Sequence, residues 1–289
     1  MTKFISEISS NHNGSLSRSL KMIKLSSDLG FDIVKFQLFK IDQLFSKEIL
    51  NKSKDHRSRK KWELNEKHIP IIAKHCKKNN IKFCVTPFYL KAVDIIKPYV
   101  DYIKIASYEI LWKDLLIKCA KSNKPIIISS GMANMNEVLN AVRILKKNKA
   151  KKIIILHCVS NYPAKLESLN LSAIDTIRKK TNLQVGWSDH SSNSLVIYKA
   201  IEKWKASYIE MHIDLDGKGF EYKSGHCWLP AETKKIINFV RKQKLIDGSG
   251  KKIPNKSERF ERKFRADPID GLRPIKKFRK NIKKNKKNI

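Results

Sequence analysis

Apolar and polar positions along this chain follow two rhythms that alternate from end to end. Short runs rich in Ile, Val, Phe and Tyr read as strands: Phe4–Ile8, Ile33–Gln37, Lys82–Thr86, Tyr102–Ile105, Pro125–Ser129, Lys152–His157, Gln184–Ser188 and Tyr208–His212. Between them, apolar residues recur at three- and four-residue spacing, as Leu20, Ile23 and Leu25 do with Leu29, and predict amphipathic helices. These cover Ser17–Leu29, Glu66–Lys78, Leu90–Lys97, Trp112–Ser122, Asn134–Lys147, Ser172–Lys180, Asn193–Lys205 and Pro230–Leu245. Ser17 and Asn134 are placed to cap two of the helices, and Gly30 to stop the first. Strand–helix units repeated in this way, over 289 residues, predict an α/β fold: a closed (β/α)8 TIM barrel rather than an open doubly wound sheet. Ser9-Ser-Asn-His-Asn-Gly14, after the first strand, is no dinucleotide fingerprint, and no phosphate-binding P-loop occurs. The barrel is expected over 1–248 and a short basic C-terminal extension over 249–289. Turn signals and aromatics in Arg259–Pro274 predict an ordered stretch, whereas the tail from Lys276 is expected to be disordered.

In a barrel, chemistry sits where the strands end. The strand ends here carry Glu7, Lys35 with Gln37, Thr86, Lys104, Ser129, His157, Ser188 with His190, and Glu210 with His212. Barrel interiors are normally filled by branched apolar side chains. A lysine within Val34-Lys-Phe-Gln37 or Tyr102-Ile-Lys-Ile105 therefore either points into the site or lies at a wet edge. Taken with Thr86, Ser107 and Ser129, the two lysines favour a cradle for phosphate and carboxylate. His190 and His212 follow neighbouring strands, and parallel pairing would bring them to one rim as a metal site requires; two unrelated strand-end histidines are the alternative. The long polar segment Leu38–Leu64 is either an active-site lid or a disordered insertion. A glycine-rich loop carrying Asp214, Asp216, Glu221 and His226 follows the last strand and can fold back over the mouth.

Composition changes this picture little. The net charge of +34 comes mostly from lysine spread over every predicted helix, without interleaved aromatics or a nucleic-acid motif, so no specific nucleic-acid partner is expected. The basic field favours anionic substrates. No apolar run approaches a membrane span and no signal-peptide pattern starts at Met1. Five single cysteines in apolar segments, with no CxxC pair, read as reduced core thiols of a cytoplasmic protein.

Several stretches, in this order, resemble the N-acetylneuraminate (sialic acid) synthase family. They are Glu7-Ile-Ser-Ser-Asn-His-Asn-Gly14, Val34-Lys-Phe-Gln37, Val85-Thr-Pro-Phe88, Tyr102-Ile-Lys-Ile-Ala-Ser-Tyr-Glu109, Ile128-Ser-Ser-Gly-Met132, Leu156-His-Cys-Val-Ser-Asn-Tyr-Pro163, Gly186-Trp-Ser-Asp-His190 and Ile209-Glu-Met-His212. The resemblance implies a barrel transferase that condenses phosphoenolpyruvate with N-acetylmannosamine or a related N-acetylated amino sugar and releases phosphate. It implies a divalent metal, Mn2+ or Mg2+, on His190 and His212, and a homodimer. Glu7, Glu109 and Lys104 take catalytic roles. Lys35, Thr86, Ser107, Ser129 and Ser188 fall around the phosphoenolpyruvate, Gln37 and Tyr162 around the sugar, and Glu221 at the family's late acidic position. Ser160 and Val159 stand where the family carries Asn and Thr. The family's C-terminal antifreeze-like domain, which lends an arginine across the dimer, has no counterpart in the stretch after the barrel; Arg265 and Arg273 are the expected substitutes. Two alternatives remain at this point: a barrel that condenses phosphoenolpyruvate with a sugar phosphate, and a non-catalytic sugar-binding relative.

Overall fold

The structure is a computed structural model and describes residues 2–279. Strands β1 Lys3–Glu7, β2 Ile33–Leu38, β3 Lys82–Pro87, β4 Tyr102–Ile105, β5 Ile126–Ser129, β6 Ile153–His157, β7 Gln184–Asp189 and β8 Tyr208–His212 pair in parallel with their sequence neighbours. β8 closes on β1, with Glu7 opposite His212, so the sheet is a closed barrel. The principal helices after successive strands are α1 Leu16–Leu29, α2 Ile69–Lys78, α3 Leu90–Ile96, α4 Lys113–Ala120, α5 Met135–Lys147, α6 Ala173–Thr181, α7 Ser194–Glu202 and α8 Pro230–Asp247. The (β/α)8 expectation holds, and the strand boundaries fall within a residue of those read from the sequence.

Local chemistry accounts for the helix ends. Asn134 and Glu137 form a reciprocal capping box at the start of α5. Gly30, at φ 90°, ends α1 in the left-handed conformation and donates its N–H to the carbonyls of Ser26 and Ser27. Ser17 does not cap α1: Ser15, two residues earlier, accepts from the Arg18 N–H, and the helix begins at Leu16. The segment Leu38–Leu64 is folded, with short helices at Ile41–Leu44, Lys47–Lys52 and Lys54–Ser58 and a 3-10 turn at Arg59–Trp62.

Side chains alternate across each strand, so one residue in two faces the barrel interior. The inward positions nearest the strand starts are apolar: Ile5, Ile33, Cys84, Ile127, Ile154 and Tyr208 form one buried cluster with Leu156. Two residues further along, the same faces carry Glu7, Lys35, Thr86, Lys104, Ser129, Ser188 and Glu210, all buried. An apolar plug thus underlies a polar layer at the C-terminal rim. Gly186 belongs to this arrangement: a Cβ there would collide with the Tyr208 carbonyl and the Leu156 side chain, so the chains close up only without one. The larger core lies between the strands' outer faces and the helices, around Phe4, Phe36, Phe83 and Trp187.

The chain divides into two compact units, Met1–Arg241 and Lys242–Ile289. The division falls within α8, before the boundary expected at 248; Val240 is the last buried residue of α8 among the described ones. Within the second unit, Asp267 accepts from the Lys276 N–H at 2.7 Å and Arg279 clamps Asp270 at 2.5 and 2.6 Å. Arg265 donates to the Arg262 carbonyl. Of the tail expected to be disordered, Lys276–Arg279 forms a helical turn and 280–289 lies outside the described residues. Among the described residues, no helix is long and apolar enough to cross a membrane. All five cysteines are free and buried.

Candidate active site

Four charged side chains fill the polar layer. Adjacent strand positions Glu7 and Lys35 form a close ion pair, and Lys35 Nζ also lies 3.6 Å from Glu210 and 3.5 Å from Thr86 Oγ1. Lys104 Nζ donates to Glu210 at 3.2 Å, and Ser188 Oγ to the same oxygen at 2.9 Å. Burial would raise the Glu210 carboxyl, but Lys104 and Lys35 outweigh it and hold the group well below the ordinary carboxylate range. Burial lowers the Lys35 ammonium to about 8, against the pull of Glu210. Both lysines point inward, as the cradle reading expects, yet each already faces a carboxylate. Glu210, which the sequence offered only as a strand-end residue, is the partner they share.

Above this layer opens a cavity of about 630 Å³, lined by Gln37, Glu109, Tyr162, His212, Glu221 and His226 together with Phe39, Phe45, Phe88, Arg59 and Trp62. Residues from the Leu38–Leu64 segment therefore wall the mouth. Trp62 stacks on Phe220 at 6.2 Å, and the Arg59 guanidinium lies over the Phe45 and Trp62 rings at 5.7 and 5.5 Å. Glu109 Oε2, in the cavity wall, and Ser129 Oγ, in the polar layer, are both buried and have no protein partner among the described residues. Burial raises the Glu109 carboxyl to about 7, only partly opposed by Lys104. Ser107 accepts from the Gly131 N–H at 3.1 Å and contacts Cys158. Glu7 lies below, wholly buried, with its other oxygen taking the Ser9 N–H.

His190 and His212 do meet on one rim, with ring centroids 5.3 Å apart. Tyr162 packs on His190 at 4.2 Å. The Val159 carbonyl lies 2.6 Å from His190 Nδ1, which puts the proton on that nitrogen and leaves Nε2 with a lone pair. Burial, reinforced by His212, lowers the His190 imidazole to about 3, so it is neutral. The loop after β8 adds two groups: Glu221 Oε2 sits 3.1 Å from His212 Nδ1 and 3.7 Å from His226 Nε2. Burial opposes ionisation of Glu221, but the hydrogen bond with His212 and the adjoining His226 ring hold it far below the usual range. Donor atoms of His212, Glu221, His226 and Cys227 all lie within 4.8 Å of one another, a set that fits a divalent cation. The loop is pinned by Arg18, which bonds Asp214 and Asp216, and by Asn11, whose side chain accepts the Glu221 N–H and donates to the Ile213 carbonyl.

Not every strand-end histidine joins the site. His157 Nε2 lies 3.1 Å from both the Leu169 and Asn170 carbonyls, and its ring packs on Trp187, a structural role. His226 was legible only as one polar residue of a glycine-rich loop. The available signal was its place, with Glu221, shortly after a strand ending in histidine.

Comparison with known proteins accords with this geometry. The profile of the NeuB family matches residues 22–252. The N,N'-diacetyllegionaminic acid synthase of Campylobacter jejuni is 36% identical, the alignment covering 89% of this chain and 80% of that one. An uncharacterized protein of Methanocaldococcus jannaschii is also 36% identical, over 89% and 75% of the two chains. The crystal structure of an N-acetylneuraminic acid synthetase from Leptospira borgpetersenii in complex with citrate superposes with a TM-score of 0.79, at 32% identity and 90% coverage of both chains. The closed barrel, the motifs at its strand ends and these matches together place the chain in the NeuB family.

Proposed function

We propose that this protein is a nonulosonic acid synthase that condenses phosphoenolpyruvate with N-acetylmannosamine or a related N-acetylated amino sugar. The products are a nine-carbon 2-keto acid and phosphate. The observation that carries this reading is the stacking, in one barrel mouth, of three parts: a buried lysine–carboxylate layer, a histidine–carboxylate cluster, and an aromatic-walled cavity joining them. The names of the Campylobacter and Leptospira relatives support the same class.

Lys35, Lys104, Thr86, Ser107, Ser129 and Ser188 bind the phosphate and carboxylate, the unpaired Ser129 hydroxyl being a donor already free to do so. Gln37, Tyr162 and Glu221 border the sugar. A divalent cation, Mn2+ or Mg2+, on His190 and His212 would supply Lewis acidity at the sugar aldehyde. Carbon 3 of phosphoenolpyruvate attacks the aldehyde carbon, and water captures the cationic centre left at carbon 2. Glu109 takes one proton of that water and returns it to the alkoxide that the attack leaves on the sugar, while Glu7 keeps Lys35 in place beneath. The tetrahedral intermediate then collapses to the ketone and expels phosphate, which takes the remaining hydroxyl proton and whose charge Lys104 and Lys35 stabilise. Rigid strand ends suit this work, most of which is positioning. The homodimer is part of the same reading, and sedimentation velocity tests it.

Phosphate release from phosphoenolpyruvate is expected with Mn2+ and one member of a panel containing N-acetylmannosamine and di-N-acetylated hexoses. Silence across the whole panel would reject the synthase reading. The Glu109 carboxyl, raised to about 7, makes a second expectation. A base must be ionised, so turnover should fall about tenfold per pH unit below that value and level off above it. A flat profile down to about pH 5 would remove Glu109 from the role of base.

A further inference from the structure

Buried histidines in this protein are otherwise accounted for by their hydrogen bonds. His157 meets two carbonyls, and His12 Nδ1 accepts the Gly14 N–H. His226 is different. It is 3% exposed, its Nδ1 has no partner among the described residues, and its Nε2 faces the Glu221 carboxylate, which also faces His212. The His212 and His226 rings are 4.6 Å apart, and His190 adjoins both at 5.3 and 6.2 Å. Donor atoms of His212, Glu221 and His226 lie within 4.8 Å of one another, with His190 adjoining outside that set, and a buried cluster that leaves His226 Nδ1 unsatisfied is costly unless something joins it.

We propose that His226 and Glu221 are direct metal ligands, completing with His190 and His212 a three-imidazole, one-carboxylate site that selects a first-row transition ion over Mg2+. The inference rests on the synthase reading for its purpose, but not for its geometry. Imidazole nitrogen suits Fe2+, Ni2+ and Zn2+ best, and Mn2+, though harder, opens the same first-row affinity series, whereas Mg2+ takes oxygen ligands and keeps several waters. A site with one carboxylate among three imidazoles therefore disfavours Mg2+. Glu221 is held for this role by Asn11, which fixes its backbone, and by Ser9, whose hydroxyl bonds its second oxygen. In such a site the carboxylate serves the metal rather than the sugar, so acceptor recognition falls to Gln37, Glu109 and Tyr162.

The test is Mn2+ binding to chelator-stripped full-length protein, followed by loss of the free ion's electron paramagnetic resonance signal. His226→Ala and Glu221→Gln should each weaken binding at least about tenfold, since even second-sphere changes cost that much. Excess Mg2+ should fail to displace Mn2+ from the unmodified protein. His226→Gln serves if the alanine variant does not fold, with circular dichroism as the check. Unchanged affinity in the His226 and Glu221 variants, together with loss in His190→Ala, would overturn the four-ligand site and leave a two-histidine site and the synthase intact. Displacement by Mg2+ would overturn the selectivity. Tight, His226-dependent Mn2+ binding without phosphate release from any sugar would uphold the site and reject the synthase.

Discussion

His212→Ala is expected to lower turnover by about a thousandfold or more while leaving the barrel folded. The magnitude follows from the chemistry: Lewis-acid stabilisation of charge developing at an aldehyde oxygen is worth several kcal/mol, and each 1.4 kcal/mol or so is tenfold in rate. His212 ends β8, pairs in register with Glu7 and faces Glu221, so its loss removes a donor from the centre of the cluster. The fold should survive because the ring lies at the mouth, beside a cavity into which neighbouring groups can relax, and not in the apolar plug below. The expected stability cost is about 1–2 kcal/mol, within the ordinary range for one substitution. Steady-state phosphate release and thermal unfolding measured on the same preparation separate the two effects. Turnover at the unmodified level, persisting after chelation, would show that no metal acts at this histidine.

Glu210→Gln is expected to be the most destabilising of the site substitutions, by about 3–5 kcal/mol. The carboxylate sits between Lys104 at 3.2 Å and Lys35 at 3.6 Å, and all three side chains are buried. Glutamine keeps the shape and the Ser188 contact but leaves Lys104 without a counter-charge. Removing one partner from a buried ionic cluster leaves a desolvated charge, which is far worse than never having had the cluster. The pH dependence carries a sign. Glu210 has a depressed folded pKa, so its contribution is present above the unfolded value of about 4.3 and fades as pH falls toward the folded one. The deficit of the variant should therefore shrink as pH falls below about 4.3. Urea unfolding of both proteins at neutral and acidic pH measures this. A deficit below about 1 kcal/mol would mean that Glu210 is not the counter-charge of the two lysines.

The fold was readable because its two periodicities are local. Whether Val34-Lys-Phe-Gln37 is a strand depends on side chains one and two residues apart, and whether Ser17–Leu29 is a helix depends on those three and four apart. The cap of α1 was misplaced for an equally local reason, since Ser15 and Ser17 are chemically alike and only the observed backbone turn distinguishes them. The long segment after β2 carried neither period, because only scattered side chains from it, Phe39, Leu44, Phe45, Arg59 and Trp62, reach a wall made jointly with other loops. Trp62 is explained by Phe220, which is remote in sequence.

The same division runs through the site. Residue order and alternation by themselves determined the barrel and the end of it that carries chemistry, and placed Lys35, Lys104, Ser188 and His212 at that end; that the two lysines point inward rather than to a wet edge was decided by the closed sheet. Which groups pair was decided only in three dimensions. Glu210 reaches Lys104 across the barrel interior from a strand that is not its neighbour, and no spacing in the sequence records a chord across a closed sheet. His226 reaches Glu221 and His212 because Arg18 and Asn11, near the first strand, pin the loop that follows the last. Closure of the barrel brings the chain's beginning beside that loop, and that long-range contact is what assembles the histidine cluster.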